Sequence, residues 1–296
     1  MYHYQTLMRV KLIILTFLAI ALTSFKDGKR AYKIFDQNGK KMSYEKLLKK
    51  VAEADVILFG ELHNNPINHW LQYELTKDIY NNYNDFLALG AEMYEADNQL
   101  IINEYLGGHI DYNTLKSEAK LWPNDQTDYN PLLDFAVTNQ LTFVATNIPR
   151  RYAKMVSKLG FKAFNHLSDE AKKYIAPLPL KYDDKLPGYV EMKKMAAHGH
   201  GMNGDFLAQA QASKDATMAH FILKNWVEGR TFIHYNGAYH SNNYEGILWY
   251  LKQANPDLKV ATISCVEQKV LDALDEENKS LAHFIIATPE TMTKTH

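Results

Sequence analysis

The strongest constraint in this sequence is VILFG (56–60), a continuous apolar run too short for a helix and bounded by Gly60. A strand with one wet face alternates polar and apolar positions. An unbroken apolar run needs cover on both faces, as in a parallel sheet. FLALGAEM (86–93), LTFVATN (141–147), TFIHYNG (231–237), KVATISCV (259–266) and AHFIIAT (282–288) add further strands. Helical patterns separate them. Asn65-Pro66 starts one helix, with Pro at the first helical position and Ile67, Trp70, Leu71, Leu75 and Ile79 on one apolar face. DNQLIINEYLGG and the stretch after Pro149 supply others. The expected fold is α/β, a mostly parallel central sheet flanked by helices.

Two segments fall outside that alternation. AYKIFDQNGKKMSY reads as a hairpin turning at Asn38-Gly39, followed by a short surface helix over 44–53. Residues 161–228 read as mainly helical, interrupted by APLPLKYDDKLPGY, and are expected to form a lid-like helical insertion. Residues 30–296 are thus expected to form a single domain, and 1–24 a signal peptide or N-terminal anchor. Arg9 and Lys11 precede the apolar run LIILTFLAIAL (12–22), with small polar residues after it. That is a secretory pattern, short of the roughly 20 apolar residues a bilayer span requires. The chain is expected to be exported to the periplasm or cell envelope, touching membrane only through an uncleaved N-terminal segment. No Cys follows the apolar run, so lipid attachment there is not expected. The single Cys265 lies in an apolar strand and is expected to be a buried, inert thiol. Lys plus Arg (33) balances Asp plus Glu (34), which argues against nucleic acid as a partner.

In an open α/β sheet, ligands bind beyond the carboxyl ends of the strands. Glu61 and His63 follow the first apolar run, Glu92 closes the second, Asn147 and Arg150 follow the third, and His240 lies just past TFIHYNG. Carboxylates and imidazoles gathered at one edge could ligate a divalent metal such as Zn, Mn or Co, or act as general acid and base. Each has a bland alternative. Glu61 could cap the following helix. His63 could be a turn residue, and His240 part of a strand-exit loop. Glu92 is harder to dismiss, because an apolar strand ending in an acid needs a partner for it. His69, beside Trp70, is expected to be structural or pocket-lining. His198 and His200 lie in a Gly-rich loop that could reach the site from above or be simply solvated. Gln211, Lys214 and Asp215 are expected to include helix-surface residues, though helical spacing places Gln211 and Asp215 on one face.

GELHNNPINHWLQ, GAEMYEADNQ, NIPRR, AQASKDATMA and NGAYH, in that order, resemble the motifs of the ChaN-like haem-uptake proteins, relatives of the Tiki metalloproteases, TraB proteins and erythromycin esterases. The resemblance runs from about Tyr32 to about Trp249. It implies an exported protein of haem or iron acquisition on an α/β core, with Glu61, His63, Glu92 and His240 at the marked positions of a Glu/His site. In Tiki that site holds a divalent metal, and one ChaN-like member holds haem in a dimer interface with Tyr ligation. Asn64 stands where the family commonly has Asp, and Asn68 where it has a second His, which weakens any scheme needing a third carboxylate or paired imidazoles there. No motif fixes the ligating tyrosine among the 19 in the chain. Tyr94, Tyr129, Tyr235, Tyr239 and Tyr244 lie in or near the crevice segments.

The expected function is haem binding, with a metal-dependent hydrolase, protease- or esterase-like, as the alternative. Glu61, His63, Glu92 and His240 are the candidate catalytic and metal-binding set. His69, Arg150, His198, Tyr94 and Tyr239 are the candidate haem contacts, with a homodimer as an open alternative to a monomer.

Overall fold

A computed structural model of the protein describes residues 29–197 and 203–295. The apolar run at 12–22, His198 and His200 lie outside the described residues. The chain separates into Met1–Ala31 and Tyr32–His296, and the second unit carries all the elements described below.

The sheet has eight strands: β1 (Lys33–Asp36), β2 (Lys41–Met42), β3 (Val56–Glu61), β4 (Leu87–Glu95), β5 (Thr142–Asn147), β6 (Thr231–Gly237), β7 (Val260–Gln268) and β8 (Phe284–Pro289). Their spatial order is β2-β1-β8-β7-β3-β6-β4-β5. All pairs from β8 to β5 are parallel, and the hairpin β1–β2 adds an antiparallel margin through β8. Every residue of β3, β4 and β6 is buried. Successive side chains leave opposite faces of a strand. Ile57, Phe59, Leu89, Ile233 and Tyr235 accordingly join one core cluster, while Val56, Leu58, Ala88 and Phe232 join the other. Each such aliphatic or aromatic side chain contributes about 1.5–3 kcal/mol when fully buried.

The helices are α1 (Tyr44–Val51), α2 (Pro66–Asn82), α3 (Gln99–Leu106), α4 (Tyr112–Glu118), α5 (Asp125–Asp128), α6 (Asn130–Thr138), α7 (Arg150–Leu159), α8 (Asp169–Lys172), α9 (Pro187–Ala197), α10 (Gly204–Asn225) and α11 (Ile247–Ala254). α2 starts as its sequence predicts: Asn65 caps it by accepting from the Ile67 N–H, and Pro66 follows. Its buried surface differs from the expected apolar face. Leu71, Leu75 and Ile79 are buried, but so are Asn68, His69, Gln72 and Thr76, while Trp70 is 49% exposed and meets Tyr32 edge to face. Two buried stripes, one apolar and one polar, are the mark of a helix that covers both core and site.

The segment expected to form a lid divides in two. α10 is part of the layered core: Ala216, Met218, Ala219 and Ile222 pack with strand residues Leu58, Ala88 and Phe232. Its alanine-rich buried side lets a 22-residue helix lie close against the sheet. Residues 173–186 form no regular helix or strand, and α9 follows them against α10.

Candidate functional site

β3, β6 and β4 are neighbours in the sheet, so their carboxyl ends bring residues far apart in sequence to one edge. Glu61 pairs in register with Gly237. Two glycines make the approach possible. A Cβ on Gly60 would fall 2.9 Å from both the Ala238 Cα and the Ile263 carbonyl, and one on Gly237 would fall 2.7 Å from His63 Nε2. The His63 ring therefore lies over the end of β6, where a larger residue would displace it.

Glu61 is 1% exposed and serves as the hub of the first cluster. Its Oε1 accepts from His63 Nδ1 at 2.8 Å and from the Tyr129 hydroxyl at 2.9 Å. Oε2 accepts from Gln72 Nε2 at 2.6 Å, with His69 Nδ1 at 3.4 Å. Burial pushes the Glu61 carboxyl up, but the hydrogen bonds from His63 and His69 overcome it and hold the group at about 2. Burial lowers the His63 imidazole while the Glu61 hydrogen bond raises it, and the net direction is up. His69 behaves likewise, its far nitrogen reaching Asp128 Oδ2 at 3.3 Å and the His63 carbonyl at 3.2 Å. The turn carrying His63 is fixed by Asn68, whose Oδ1 accepts the Leu62 N–H at 2.9 Å. Helix capping by Glu61 is thus excluded; Asn65 does that work.

His240 is the hub of the second cluster. Its Nε2 donates to Glu92 Oε1 at 3.0 Å and its Nδ1 to Asp215 Oδ1 at 2.5 Å. The side-chain amide of Gln211 lies 2.9 Å from Nδ1. Burial would lower the imidazole, but Glu92 and then Asp215 raise it to about 9. The two carboxylates thus favour the imidazolium form. Glu92 is pushed up by burial and held well below the usual carboxylate range by His240 and His63. Its second oxygen accepts the Gly237 N–H at 2.8 Å.

The two clusters share a cleft of about 600 Å³ lined by Glu61, His63, Glu92, Arg150, Tyr239 and His240, together with Trp122, Asn147, Gln211 and Lys214. Trp122 packs tilted against His63, ring centroids 4.8 Å apart. The remaining candidates lie elsewhere. Tyr94 is 0% exposed and donates to Asp125 Oδ1 at 2.8 Å, so it is a core residue and not a haem contact. His69 lies behind Glu61, outside the lining, as a supporting group. Tyr129 and Tyr235 are buried, on Glu61 and Thr76 respectively. Tyr244 lies outside this lining, its hydroxyl donating to Gln37 Oε1 at 2.9 Å. Tyr239 remains, 41% exposed on the cleft wall, its hydroxyl donating to the Gly188 carbonyl at 2.5 Å. Burial, with Asp215 nearby, pushes its phenol up to about 12.

The metal reading fares poorly on the donor set. Among the described residues no group of three or more His, Cys, Asp or Glu side chains is arranged to hold an ion. The physical reason is visible in the bonding. Glu61 and Glu92 spend their oxygens on imidazole, amide and backbone donors, and both His240 nitrogens face carboxylates. Only His63 Nε2, of the four expected ligands' imidazole nitrogens, has no hydrogen-bond partner assigned to it.

Asp215 and Gln211, expected to share one helix face, are 1% and 7% exposed and both touch His240, so that face is buried. The signal was their four-residue spacing within the small-residue run AQAQASKDATMA, which marks a face that must pack closely. Trp122 carried no motif and was missed; Tyr129 was named only as one crevice tyrosine among five, and Gln72 closes the GELHNNPINHWLQ motif without having been given a role.

Fold and site together define a class: a mostly parallel α/β protein with an acid–imidazole cleft at the carboxyl edge of its sheet. More specifically, the chain belongs to the family described as haem-binding uptake, Tiki superfamily, ChaN, which matches residues 47–251. The solved structure described as "Cofacial heme binding to ChaN of Campylobacter jejuni" superposes with a TM-score of 0.65 at 18% identity, covering 86% of this chain and 96% of that one. An erythromycin esterase in its open conformation is more distant, with a TM-score of 0.45 at 12% identity over 88% of this chain and 83% of that one. Protein RETICULATA-RELATED 5, chloroplastic, of Arabidopsis thaliana is 23% identical over 205 residues, 64% of this chain. The chain spans only 27% of that relative's length. Among the described residues no helix is long and apolar enough to cross a membrane.

Proposed function

We propose that this protein is an exported haem-binding protein serving iron acquisition, and that haem enters the cleft at the carboxyl edge of the sheet. Membership of the haem-binding uptake family is the observation that carries the reading. The cleft chemistry supports it. Tyr239 offers a phenol on the wall, the ligand type the resemblance implies. His63 offers Nε2 with its other nitrogen bonded to a carboxylate, the arrangement that orients a ligating imidazole. Trp122 supplies aromatic surface beside it. Export rests on the basic and apolar pattern of residues 9–22.

The test is a hemin titration of the purified protein followed at the Soret band. A saturable shift that weakens in Tyr239→Phe or His63→Ala supports the reading. No shift at micromolar protein refutes it.

The alternative hydrolase is favoured by one observation: His63, backed by Glu61, lines the same cleft as His240, whose imidazole two carboxylates bias toward its charged form. That pair could act as general base and electrostatic acid without a metal. Chelator-insensitive ester hydrolysis lost in His63→Ala would distinguish it from haem binding.

A further inference from the structure

A second cleft of about 620 Å³ adjoins the first and shares Glu95, Trp122 and Arg150 with it. Its remaining walls come from α4, the turn after it, and α7, and they carry Lys116, Lys120, Arg151 and Lys154. Arg151 is engaged with Asp97 and stacks 4.4 Å over the Tyr152 ring. Glu95 is the one carboxylate in the lining, 4% exposed, and lies 3.7 Å from Arg150 Nε. Among the described residues Lys116, Lys120 and Lys154 form no ion pair of 4 Å or less, although Lys116 is near enough to Asp125 to favour its charged form. Arg150 also opens α7, whose amino end carries partial positive charge. Some surface lysines elsewhere pair with acids three residues away, as Lys77 does with Glu74 and Lys173 with Glu170. Here three lysines line one groove whose single lining carboxylate, Glu95, is turned to Arg150, beside an aromatic side chain that also lines the acid–imidazole cleft. Like charges held together favour an anion brought from outside.

We infer that the groove of Lys116, Lys120 and Lys154, with Arg150, is a carboxylate-binding subsite that takes the paired propionate groups of the porphyrin. This rests on the haem-binding reading above and assigns an orientation within it. With propionates held along the lysines, Trp122 would offer apolar surface to the macrocycle, and His63 and Tyr239, which line the adjoining cleft, would be the groups available to the iron. Lysine ammonium groups act there as mobile point charges, which tolerate some variation in where each carboxylate sits.

The experiment compares hemin with hemin dimethyl ester, which keeps the iron and macrocycle but lacks both negative charges. Each is titrated at the Soret band into the full chain and into a triple variant, Lys116→Glu, Lys120→Glu and Lys154→Glu. These lysines are exposed, so folding should persist, and a thermal melt checks it. The same three reversals at Lys41, Lys49 and Lys50, which line neither cleft, control for overall charge. The expected result is that the ester binds the native protein at least roughly tenfold more weakly than hemin, and that the triple variant but not the control loses hemin affinity by a similar factor. Added salt should weaken hemin binding and leave ester binding unchanged. Hemin and ester binding equally well, or the triple variant matching the control, would overturn the subsite while leaving haem binding intact. Absence of any hemin shift in the native protein would instead remove the haem reading, and this subsite with it.

Discussion

Replacing Asp215 by Asn probes the buried charge arrangement with little change of shape. Asp215 Oδ1 accepts from His240 and Oδ2 accepts from the Tyr189 hydroxyl at 2.8 Å. An Asn can keep both contacts, since its oxygen accepts from His240 and its amide donates to the tyrosine oxygen. Only the negative charge is lost. In the native protein His240 is raised from 6.5 to about 9, a preference for imidazolium of roughly 3 kcal/mol shared between Glu92 and Asp215. Loss of the Asp215 share should cost about 1–2 kcal/mol near neutral pH. The pH dependence carries the sign. A raised folded pKa contributes stability that is fully present below 6.5 and disappears as pH rises through about 9. The deficit of Asp215→Asn should therefore be largest on the acid side and shrink, or invert, above about pH 9, where two buried carboxylates would otherwise face a neutral imidazole. Urea unfolding by tryptophan fluorescence from about pH 6 to about pH 10 measures it, and the His240 ring resonances report the pKa directly. A deficit independent of pH would refute the charge argument. So would an Asp215→Asn protein as stable as the native one at pH 6.5.

Glu61→Gln should lower stability by about 3–5 kcal/mol at neutral pH, because it leaves two imidazoles beside a buried neutral group. The Glu61 carboxyl is lowered from 4.5 to about 2, so its native contribution is present above 4.5 and vanishes as pH falls toward 2, and the variant's deficit should close over that range. Gly237→Ala should fold but displace the His63 ring, since the new methyl would fall 2.7 Å from Nε2; the expected signature is a weakened hemin Soret shift with a loss of about 1–2 kcal/mol or less in urea unfolding. An unaltered hemin titration would show that His63 has room the geometry does not reveal.

Much of the fold was legible because parallel strands are buried on both faces and therefore carry an unbroken apolar signature. β3 through β8 begin and end within a few residues of the runs read from the sequence. Glu61, His63, Glu92 and His240 were legible as strand-end polar groups, and sheet order then decided that they share one cleft. α10 was harder. Its buried face is made of alanine with Gln211, Ser213, Asp215 and Thr217, a pattern that by composition resembles a solvated surface. Only docking against the sheet and His240 turns those polar groups inward. The same holds for the polar stripe of α2, where Asn68, His69 and Gln72 are buried because Glu61 and the Leu62 N–H are there to satisfy them.

Local sequence determined where strands, caps and turns fall, since those depend on backbone sterics, hydrogen bonds between near neighbours and apolar periodicity. Which carboxylate meets which imidazole, and which tyrosine reaches the cleft, was decided only by tertiary packing. Asp215 and His240 are 25 residues apart, and Glu61 and Tyr129 are 68 apart. No local pattern encodes contacts over such separations; they exist because the strand order places those elements side by side.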